Sequence, residues 1–226
     1  MIILTDLSEV LIKGVMGVEN LIEKDYGTEA ATSFLQRKHE MKEPFGELMR
    51  GCLSEDQFWK RFLTGRRWPF GVTEAKGFLS RNMAHEIPGT LDLYESIIKY
   101  PNNLNKKGQK NHLSGRPEFW LVSDHIAERK EELEHLHPET LGLMTRRIWS
   151  YDEVALKKDP GYFIRIIKRY DLNPDEVIYI DDDMENIYAS AKAGIHHIWF
   201  RNSLQLKYTL GRAGFGFSRQ FDQVFH

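Results

Sequence analysis

Three consecutive carboxylates, Asp181, Asp182 and Asp183, directly follow an apolar run from Val177 to Ile180. Neighbouring anions repel one another, and the repulsion grows when they are buried. A cation is therefore expected to offset them, and a divalent metal ion is the natural candidate. Because all the ligand atoms in this run are oxygens, the sequence favours Mg²⁺ over zinc.

Two further apolar runs end in polar groups of the same kind. Residues 1–4 lead to Asp6, and residues 119–122 lead to Ser123. Such runs are typical of parallel strands that bring side chains to one edge of a sheet, where open α/β proteins bind ligands. A carboxylate at that edge can act as a nucleophile or a metal ligand, and a hydroxyl can bond a phosphoryl oxygen.

A lysine near these groups could neutralise both a nucleophile and a transferring anion. The sequence has two adjacent lysines, Lys157 and Lys158, on the N-terminal side of the acidic run. In chain order, the candidate site residues are Asp6, Ser8, Ser123, Lys157 or Lys158, Asp181, Asp182, Asp183 and Glu185.

The composition is that of an ordinary globular protein, with 28% charged and 41% hydrophobic residues among 226. The formal net charge of −2 gives no electrostatic argument for binding nucleic acid or an anionic membrane. No apolar run approaches the ~20 residues that cross a bilayer. The single cysteine, Cys52, excludes an internal disulfide framework. We therefore expect a soluble cytoplasmic protein without nucleic-acid or membrane partners.

The elements that must position the candidate residues alternate between strand and helix patterns, which predicts a three-layer, Rossmann-like parallel α/β sheet. Residues from about 18 to 83 show only helical spacing, so we expect a helical insert between the first two strands. The strands are predicted over residues 1–5, up to Ser123, and over residues 147–150, 177–180 and 197–200.

Capping signals predict several helix boundaries. Residues 54–57 have the form of a capping box, and Thr90 is expected to cap the next helix. Asp159 followed by Pro160 predicts an acidic N-cap with proline at the first helical position. Asp183 is expected to be a cap rather than a metal ligand, and Gly194 is expected to end its helix.

Other polar features are expected at the surface. Residues 101–118 read as a solvent-facing loop with a basic cluster, namely Lys106, Lys107, Lys110 and Arg116. Three histidines, His125, His135 and His137, do not have metal-ligand spacing and are expected to be surface residues.

The order and spacing of these motifs resemble the haloacid dehalogenase superfamily of phosphotransferases and hydrolases, over essentially the whole chain. The segments that carry the resemblance are residues 6–11, 121–124, 157–163 and 180–186. The resemblance is closest to the phosphatase-like branch with a small helical cap. It implies a core domain made of residues 1–13 and 87–226 and a cap domain over residues 14–86.

The resemblance also implies roles in covalent chemistry. Asp6 would be the nucleophile and would form a phosphoaspartyl intermediate, while Ser123 would hold a phosphoryl oxygen. Lys157 would stabilise both Asp6 and the phosphoryl group. We prefer Lys157 to Lys158 because Lys158 occupies the place of the first proline in the family pattern.

The cofactor implied by the resemblance is Mg²⁺. Asp182 would coordinate the ion together with Asp6 and the backbone carbonyl of Ser8. Asp181 would assist, directly or through water. The partner implied is a small phosphorylated metabolite, and the sequence predicts neither its identity nor the oligomeric state.

Two residues depart from the family pattern. Ser8 replaces a second aspartate that usually serves as general acid and base, a role typically worth ~10²–10⁴-fold in rate. Glu9 is adjacent but points to the other side of an extended segment. Asp124, a candidate substrate-binding residue beside Ser123, replaces a common asparagine and adds negative charge near an anionic substrate.

Three functions are consistent with these residues. The first is Mg²⁺-dependent hydrolysis of a small phosphomonoester through Asp6. The second is a non-catalytic relative that binds or regulates, for which Ser8 is the main support. The third is hydrolysis of carbon–halogen bonds, which also uses an aspartate nucleophile but needs no Mg²⁺, so the acidic run argues against it.

Overall fold

A computed structural model of the protein describes residues 1–99 and 116–215. Its centre is a sheet of five strands in the order β3-β2-β1-β4-β5, and every neighbouring pair is parallel. The strands are β1 (Ile2–Thr5), β2 (Glu118–Ser123), β3 (Met144–Trp149), β4 (Val177–Asp181) and β5 (His196–Trp199). The predicted parallel α/β sheet is confirmed, with β1 and β4 adjacent at its middle.

Twelve α-helices are assigned within the described residues. Between β1 and β2 lie α1 (Val18–Tyr26), α2 (Thr28–Glu40), α3 (Lys42–Met49), α4 (Glu55–Leu63), α5 (Val72–Met83) and α6 (Thr90–Lys99). After β2 come α7 (Lys130–Leu136), α8 (Pro138–Gly142), α9 (Ser150–Glu153), α10 (Tyr162–Tyr170), α11 (Met184–Lys192) and α12 (Ser203–Arg212). The insert between the first two strands is helical, as its spacing predicts. The boundaries of a cap domain at residues 14 and 86 stay a prediction.

Helices cover both faces of the sheet. Consecutive side chains of a strand point to opposite faces, so each strand packs against both helical layers. On one face, Leu4 and Tyr179 pack with Phe163 of α10 and Ile187 of α11. On the other face, the core contains Ile3, Leu93 of α6 and Leu206 of α12. Burial on both faces explains the near-continuous apolar strands and gives the predicted three layers.

The helical insert is tied to the rest of the chain by buried charge. Arg129, in the 3₁₀ turn after β2, donates its Nε–H to Glu55 Oε1 of α4 over 2.9 Å, and both side chains are buried. Trp59 donates its indole N–H to the same carboxylate. On another side, Arg50 forms a bidentate pair with Asp159 at 3.1 and 2.8 Å.

Some capping predictions are confirmed. Ser54 accepts from the backbone N–H of Gln57, whose side chain accepts from the Ser54 backbone, so the capping box is present. Asp183 caps α11 by accepting from Glu185 N at 2.8 Å. Gly194 follows α11 with a φ of 79°, a conformation that glycine adopts without strain.

Two capping predictions are wrong. The first helical bond of α6 runs from Leu93 N to the carbonyl of Gly89, so Thr90 lies inside the helix. The helix after Asp159 begins two residues later than predicted, at Tyr162. The Asp159 carboxylate instead accepts hydrogen bonds from Arg50 and from the backbone N–H of Leu156.

The expectation that the histidines lie at the surface is wrong for two of three. His125 is buried against Trp149, and its Nδ1 accepts from Ile126 N at 2.8 Å. Burial lowers the pKa of His125 to about 4. His137 is buried with its Nε2 2.6 Å from the carbonyl of Met83. His135 is exposed, as expected.

Of the basic cluster predicted in the 101–118 loop, Lys106, Lys107 and Lys110 lie outside the described residues, and Arg116 is exposed. Within the described part of the chain, no helix has both the length and the hydropathy that crossing a membrane requires.

Candidate active site

Asp6 follows β1 at the middle of the carboxyl edge of the sheet. Its backbone N–H donates to the carbonyl of Ile180 at 2.9 Å, which fixes it beside the end of β4. Its Oδ1 accepts from the backbone of Leu7 at 2.7 Å, and its Oδ2 lies 2.7 Å from the ammonium of Lys157. The residue is only 6% exposed. One oxygen of the Asp6 carboxylate is therefore held by a cationic side chain of the protein.

Lys157 is 1% exposed and lies 2.7 Å from both Asp6 Oδ2 and Asp181 Oδ2. Burial alone would lower the pKa of Lys157, but the carboxylates of Asp181 and Asp6 outweigh it and raise that pKa above its ordinary value. Burial also raises the pKa of Asp6, opposed by Lys157 and reinforced by Asp181. One cation thus serves more than one buried carboxylate, and negative charge remains to be offset.

Lys158 occupies a different place. It is exposed and pairs with Glu185 at 2.9 Å on the surface. The structure therefore brings Lys157, and not its neighbour, to Asp6.

Asp181 ends β4, is fully buried and has both carboxylate oxygens occupied. Besides Lys157, Oδ2 accepts from the Tyr179 hydroxyl and from Asn186 at 3.1 Å. Oδ1 accepts from the backbone of Asp183 at 2.7 Å. A carboxylate with this many donors positions the lysine, and has little capacity left for a metal ion.

Asp182 is half-buried beside this group. Burial, with repulsion from Asp181, raises the pKa of Asp182 to about 6. Its backbone carbonyl accepts from the indole N–H of Trp199 at 2.8 Å. Single carboxylate oxygens of Asp6, Asp181 and Asp182 all lie within 4.8 Å of one another. This oxygen-only set fits a small hard cation such as Mg²⁺, with Asp6 and Asp182 the less occupied ligands.

Ser123 and Asp124 come from the end of β2, next to β1. The Ser123 hydroxyl is buried and has no hydrogen-bond partner among the described residues, and it does not cap a helix. Buried hydroxyls are rarely left unpaired, so this one is available to a ligand. The Asp124 carboxylate accepts from the backbone N–H of Lys157 at 3.1 Å, and burial raises its pKa to about 6. Asp124 therefore holds the lysine segment.

Ser8 and Glu9 form the turn after Asp6. Glu9 adopts a φ of 61°, which is uncommon for a residue with a side chain. Its Oε1 accepts from the backbones of Gly14 at 2.9 Å and Met16 at 3.3 Å, and Lys13 lies 3.3 Å from Oε2. The Glu9 carboxylate thus holds the segment that leads into the helical insert.

A cleft of about 550 Å³ adjoins Asp182. Its wall includes apolar side chains, the carboxylates of Glu9 and Asp182, and two cationic side chains, Lys13 and Arg201. The volume is in the range of small-molecule sites.

The sequence did not predict the roles of Tyr179, Asn186 and Trp199. Tyr179 could have been found from the two-residue period of β4, which places it on the same face as Asp181. Asn186 and Trp199 are brought to the site by the folding of the chain, and the sequence around them shows no pattern of that kind.

The fold and the site define an α/β protein that gathers carboxylates and one buried lysine at the carboxyl edge of a parallel sheet. The family model of haloacid dehalogenase-like hydrolases matches residues 1–194. The chain belongs to this family. No curated protein matches the sequence.

Solved structures show the same fold at low sequence identity. A HAD family enzyme from Bacteroides thetaiotaomicron, in complex with magnesium and inorganic phosphate, is 15% identical with a TM-score of 0.65, covering 89% of this chain and 94% of that one. A HAD-hydrolase from Bacillus subtilis, bound to magnesium, is 13% identical with a TM-score of 0.64, covering 92% and 97%. An L-2-haloacid dehalogenase from Xanthobacter autotrophicus, with chloropropionic acid covalently bound, is 11% identical with a TM-score of 0.60, covering 99% and 87%.

Proposed function

We propose that this protein is a Mg²⁺-dependent hydrolase of small phosphomonoesters that works through an aspartyl phosphate on Asp6. The observation that carries the proposal is the ammonium of Lys157, 2.7 Å from Asp6 Oδ2 in a buried site. A carboxylate nucleophile needs a nearby cation to meet an anionic phosphoryl group, and Lys157 supplies it without an exposed, screened charge.

The chain's own residues divide the chemistry among themselves. Asp6 attacks the phosphorus atom, Lys157 neutralises charge on the transferring group, and the unpaired Ser123 hydroxyl donates to a phosphoryl oxygen. Asp6, Asp182 and the backbone carbonyl of Ser8 would hold the metal. When bound, Mg²⁺ supplies positive charge that offsets the acidic cluster and the phosphate.

Two further observations support the proposal. Relatives with the same fold were crystallised with magnesium, one of them also with inorganic phosphate. The helical insert over residues 14–86 contacts the segments that follow β2 and Lys157, which is where a cap over the substrate would lie. We assign it that role.

The test is phosphate release from a panel of small phosphomonoesters, measured with Mg²⁺ and with chelator. Wild type is compared with Asp6→Asn, which keeps the size of the side chain and removes the nucleophilic charge. Release that requires both Mg²⁺ and Asp6 supports the proposal. Release equal to the Asp6→Asn background across the panel contradicts it.

Two alternatives predict other results in the same assay. A non-catalytic relative, favoured by Ser8 in place of an acid, would bind Mg²⁺ or phosphate by calorimetry without turnover. A dehalogenase would release halide from 2-haloacids and keep its rate in chelator.

A further inference from the structure

The release of an alcohol leaving group requires a proton, but the roles assigned to the residues around Asp6 do not include a proton donor. When Asp6 forms a bond to phosphorus, the bond to the leaving oxygen breaks and that oxygen takes the electron pair. An alcohol leaves readily only if an acid gives it a proton at that moment. Ser8 cannot do so, because a hydroxyl does not release a proton near neutral pH.

Glu9 does not replace that acid. Its two oxygens are occupied by the backbone N–H groups of Gly14 and Met16 and by Lys13. Moving the carboxylate to a leaving oxygen would break the contacts that hold the start of the helical insert.

The other charged groups that act on Asp6 are Lys157, Asp181 and Asp182. Lys157 is shared by two carboxylates, Asp181 accepts from four different donor groups, and Asp182 is a metal ligand in the proposed function. The Asp124 carboxylate is occupied by the backbone N–H of Lys157. Within the described part of the site, no carboxyl group is placed to donate a proton to a leaving group.

The cleft beside Asp182 contains a cationic group that is available to a leaving anion. Four charged side chains line it, namely the carboxylates of Glu9 and Asp182 and the cations of Lys13 and Arg201. Lys13 pairs with Glu9 at 3.3 Å, so its charge is already offset. No ion pair joins Arg201 to a carboxylate of the described residues, and its guanidinium lies 4.1 Å from the centre of the Trp199 ring. Stacking on an indole ring holds a guanidinium in place while its N–H donors stay available. The Arg201 guanidinium can therefore receive a negatively charged group at the edge of this cleft.

We propose that the substrate's leaving oxygen departs as an anion, without receiving a proton, into the cleft beside Asp182, where the guanidinium of Arg201 receives it. This rests on the proposed function. It restricts the phosphomonoester substrates to those with an acidic leaving oxygen and extends the substrate class to anhydrides with the same property. Aryl and enol phosphates are such phosphomonoesters, and acyl phosphates are the corresponding mixed anhydrides. In the second step, water attacks phosphorus, the bond to Asp6 breaks, and the water proton leaves with phosphate or solvent.

The test is a leaving-group series on the full-length protein with Mg²⁺. Substituted phenyl phosphates are compared with alkyl phosphates, and kcat/KM is plotted against the pKa of the leaving group. We expect kcat/KM to rise by roughly 5- to 10-fold for each unit by which the pKa of the leaving group falls, since no acid of the protein assists the poorer leaving groups. Acetyl phosphate and pyrophosphate then distinguish a carboxylate from a phosphate as the leaving anion.

The possible outcomes separate the two proposals. A flat plot, with alkyl phosphates turned over as fast as aryl phosphates, would show that a group of the protein donates the proton and would overturn this inference alone. No release that depends on Asp6, even from the most acidic leaving groups, would overturn the proposed function itself.

Two variants test the residues. Ser8→Asp should flatten the plot by restoring an acid, with the largest gain for alkyl phosphates. Arg201→Gln should lower kcat/KM for acetyl phosphate by about 10-fold, the loss expected for one charge contact. Arg212→Gln, an exposed arginine at the other end of α12, is the matched control and should leave kcat/KM unchanged. Equal effects of the two arginine variants would contradict the assignment of the cleft.

Discussion

The ammonium of Lys157 lies at the same distance, 2.7 Å, from Asp6 Oδ2 and from Asp181 Oδ2. The two carboxylates are not equivalent, however. Asp181 also accepts from Tyr179, Asn186 and the backbone of Asp183, whereas among the described residues the only other donor to the Asp6 carboxylate is the backbone N–H of Leu7. Asp181 therefore positions the lysine, whose charge also acts on the less occupied carboxylate of Asp6.

Removal of the Lys157 charge should slow catalysis strongly. We expect Lys157→Met to lower phosphate release by about 10²–10³-fold, the cost of removing one preorganised charged donor from a transition state. It should also lower the melting temperature, since it leaves buried carboxylates without their cation. Steady-state kinetics and thermal unfolding measure the two effects.

The matched control is Lys158→Met, which removes the same charge one residue away. Because Lys158 is exposed and pairs with Glu185 on the surface, we expect activity within about 2-fold of wild type and a stability change within about 0.5 kcal/mol. A large loss in this variant, with little loss in Lys157→Met, would exchange the roles of the two lysines.

Asp182 should make the metal-free protein less stable as pH rises. Burial raises its pKa to about 6, above the ordinary 3.8. The folded protein therefore holds a proton that the unfolded chain releases between about pH 4 and 6, so stability falls across this range. We expect Asp182→Asn to raise the melting temperature in chelator at pH 7 by a few degrees, and to have no such effect at pH 4.

Added Mg²⁺ should reverse the comparison at pH 7, because ligand binding stabilises only a protein that binds it. Wild type should gain melting temperature with Mg²⁺, and Asp182→Asn should not. Asp183→Asn is the control, since Asp183 is an exposed helix cap and asparagine caps equally well. A metal-dependent stabilisation of Asp182→Asn equal to that of wild type would exclude Asp182 as a ligand.

The sequence predicts the sheet and the acidic site because their signals are local. An apolar run that ends in a carboxylate shows where β4 stops, and Asp183 and Gly194 lie just outside the two ends of the helix that they cap and end. The parallel arrangement then brings the ends of β1, β2 and β4 to one edge, so Asp6, Ser123 and Asp182 meet there as a consequence of topology.

The remaining parts of the site depend on contacts between distant segments. The prediction that Asp159 caps a helix is wrong because the sequence gives no sign that Arg50, 109 residues away, pairs with it. His125 and His137 are buried for the same reason, since their partners are determined only when the chain folds. The occupied carboxylate of Glu9 likewise depends on how the chain returns after β1.

Glu55 should contribute more to stability than Glu132, although both bind Arg129. Glu55 is buried and accepts from Arg129 and from the Trp59 indole, whereas Glu132 is partly exposed. Loss of one partner of a buried pair leaves an uncompensated charge. We expect Glu55→Gln to lower the free energy of unfolding by about 3 kcal/mol and Glu132→Gln by less than about 1 kcal/mol. Urea denaturation measures both, and equal losses would contradict the assignment.

Gly14 should be intolerant of any side chain. A Cβ at this position would lie 2.7 Å from Ser8 Cβ, closer than carbon atoms approach, so the turn after Asp6 would have to move. We expect Gly14→Ala to cost roughly 1–3 kcal/mol of stability, as overpacking does, and to lower phosphate release by displacing Ser8. Gly77→Ala is the matched control: nothing lies within 4 Å of its added Cβ inside α5. Because alanine favours the helix, that variant should gain about 0.5–1 kcal/mol with activity unchanged. If both variants proved equally stable in urea, the close packing of Gly14 against Ser8 would be refuted.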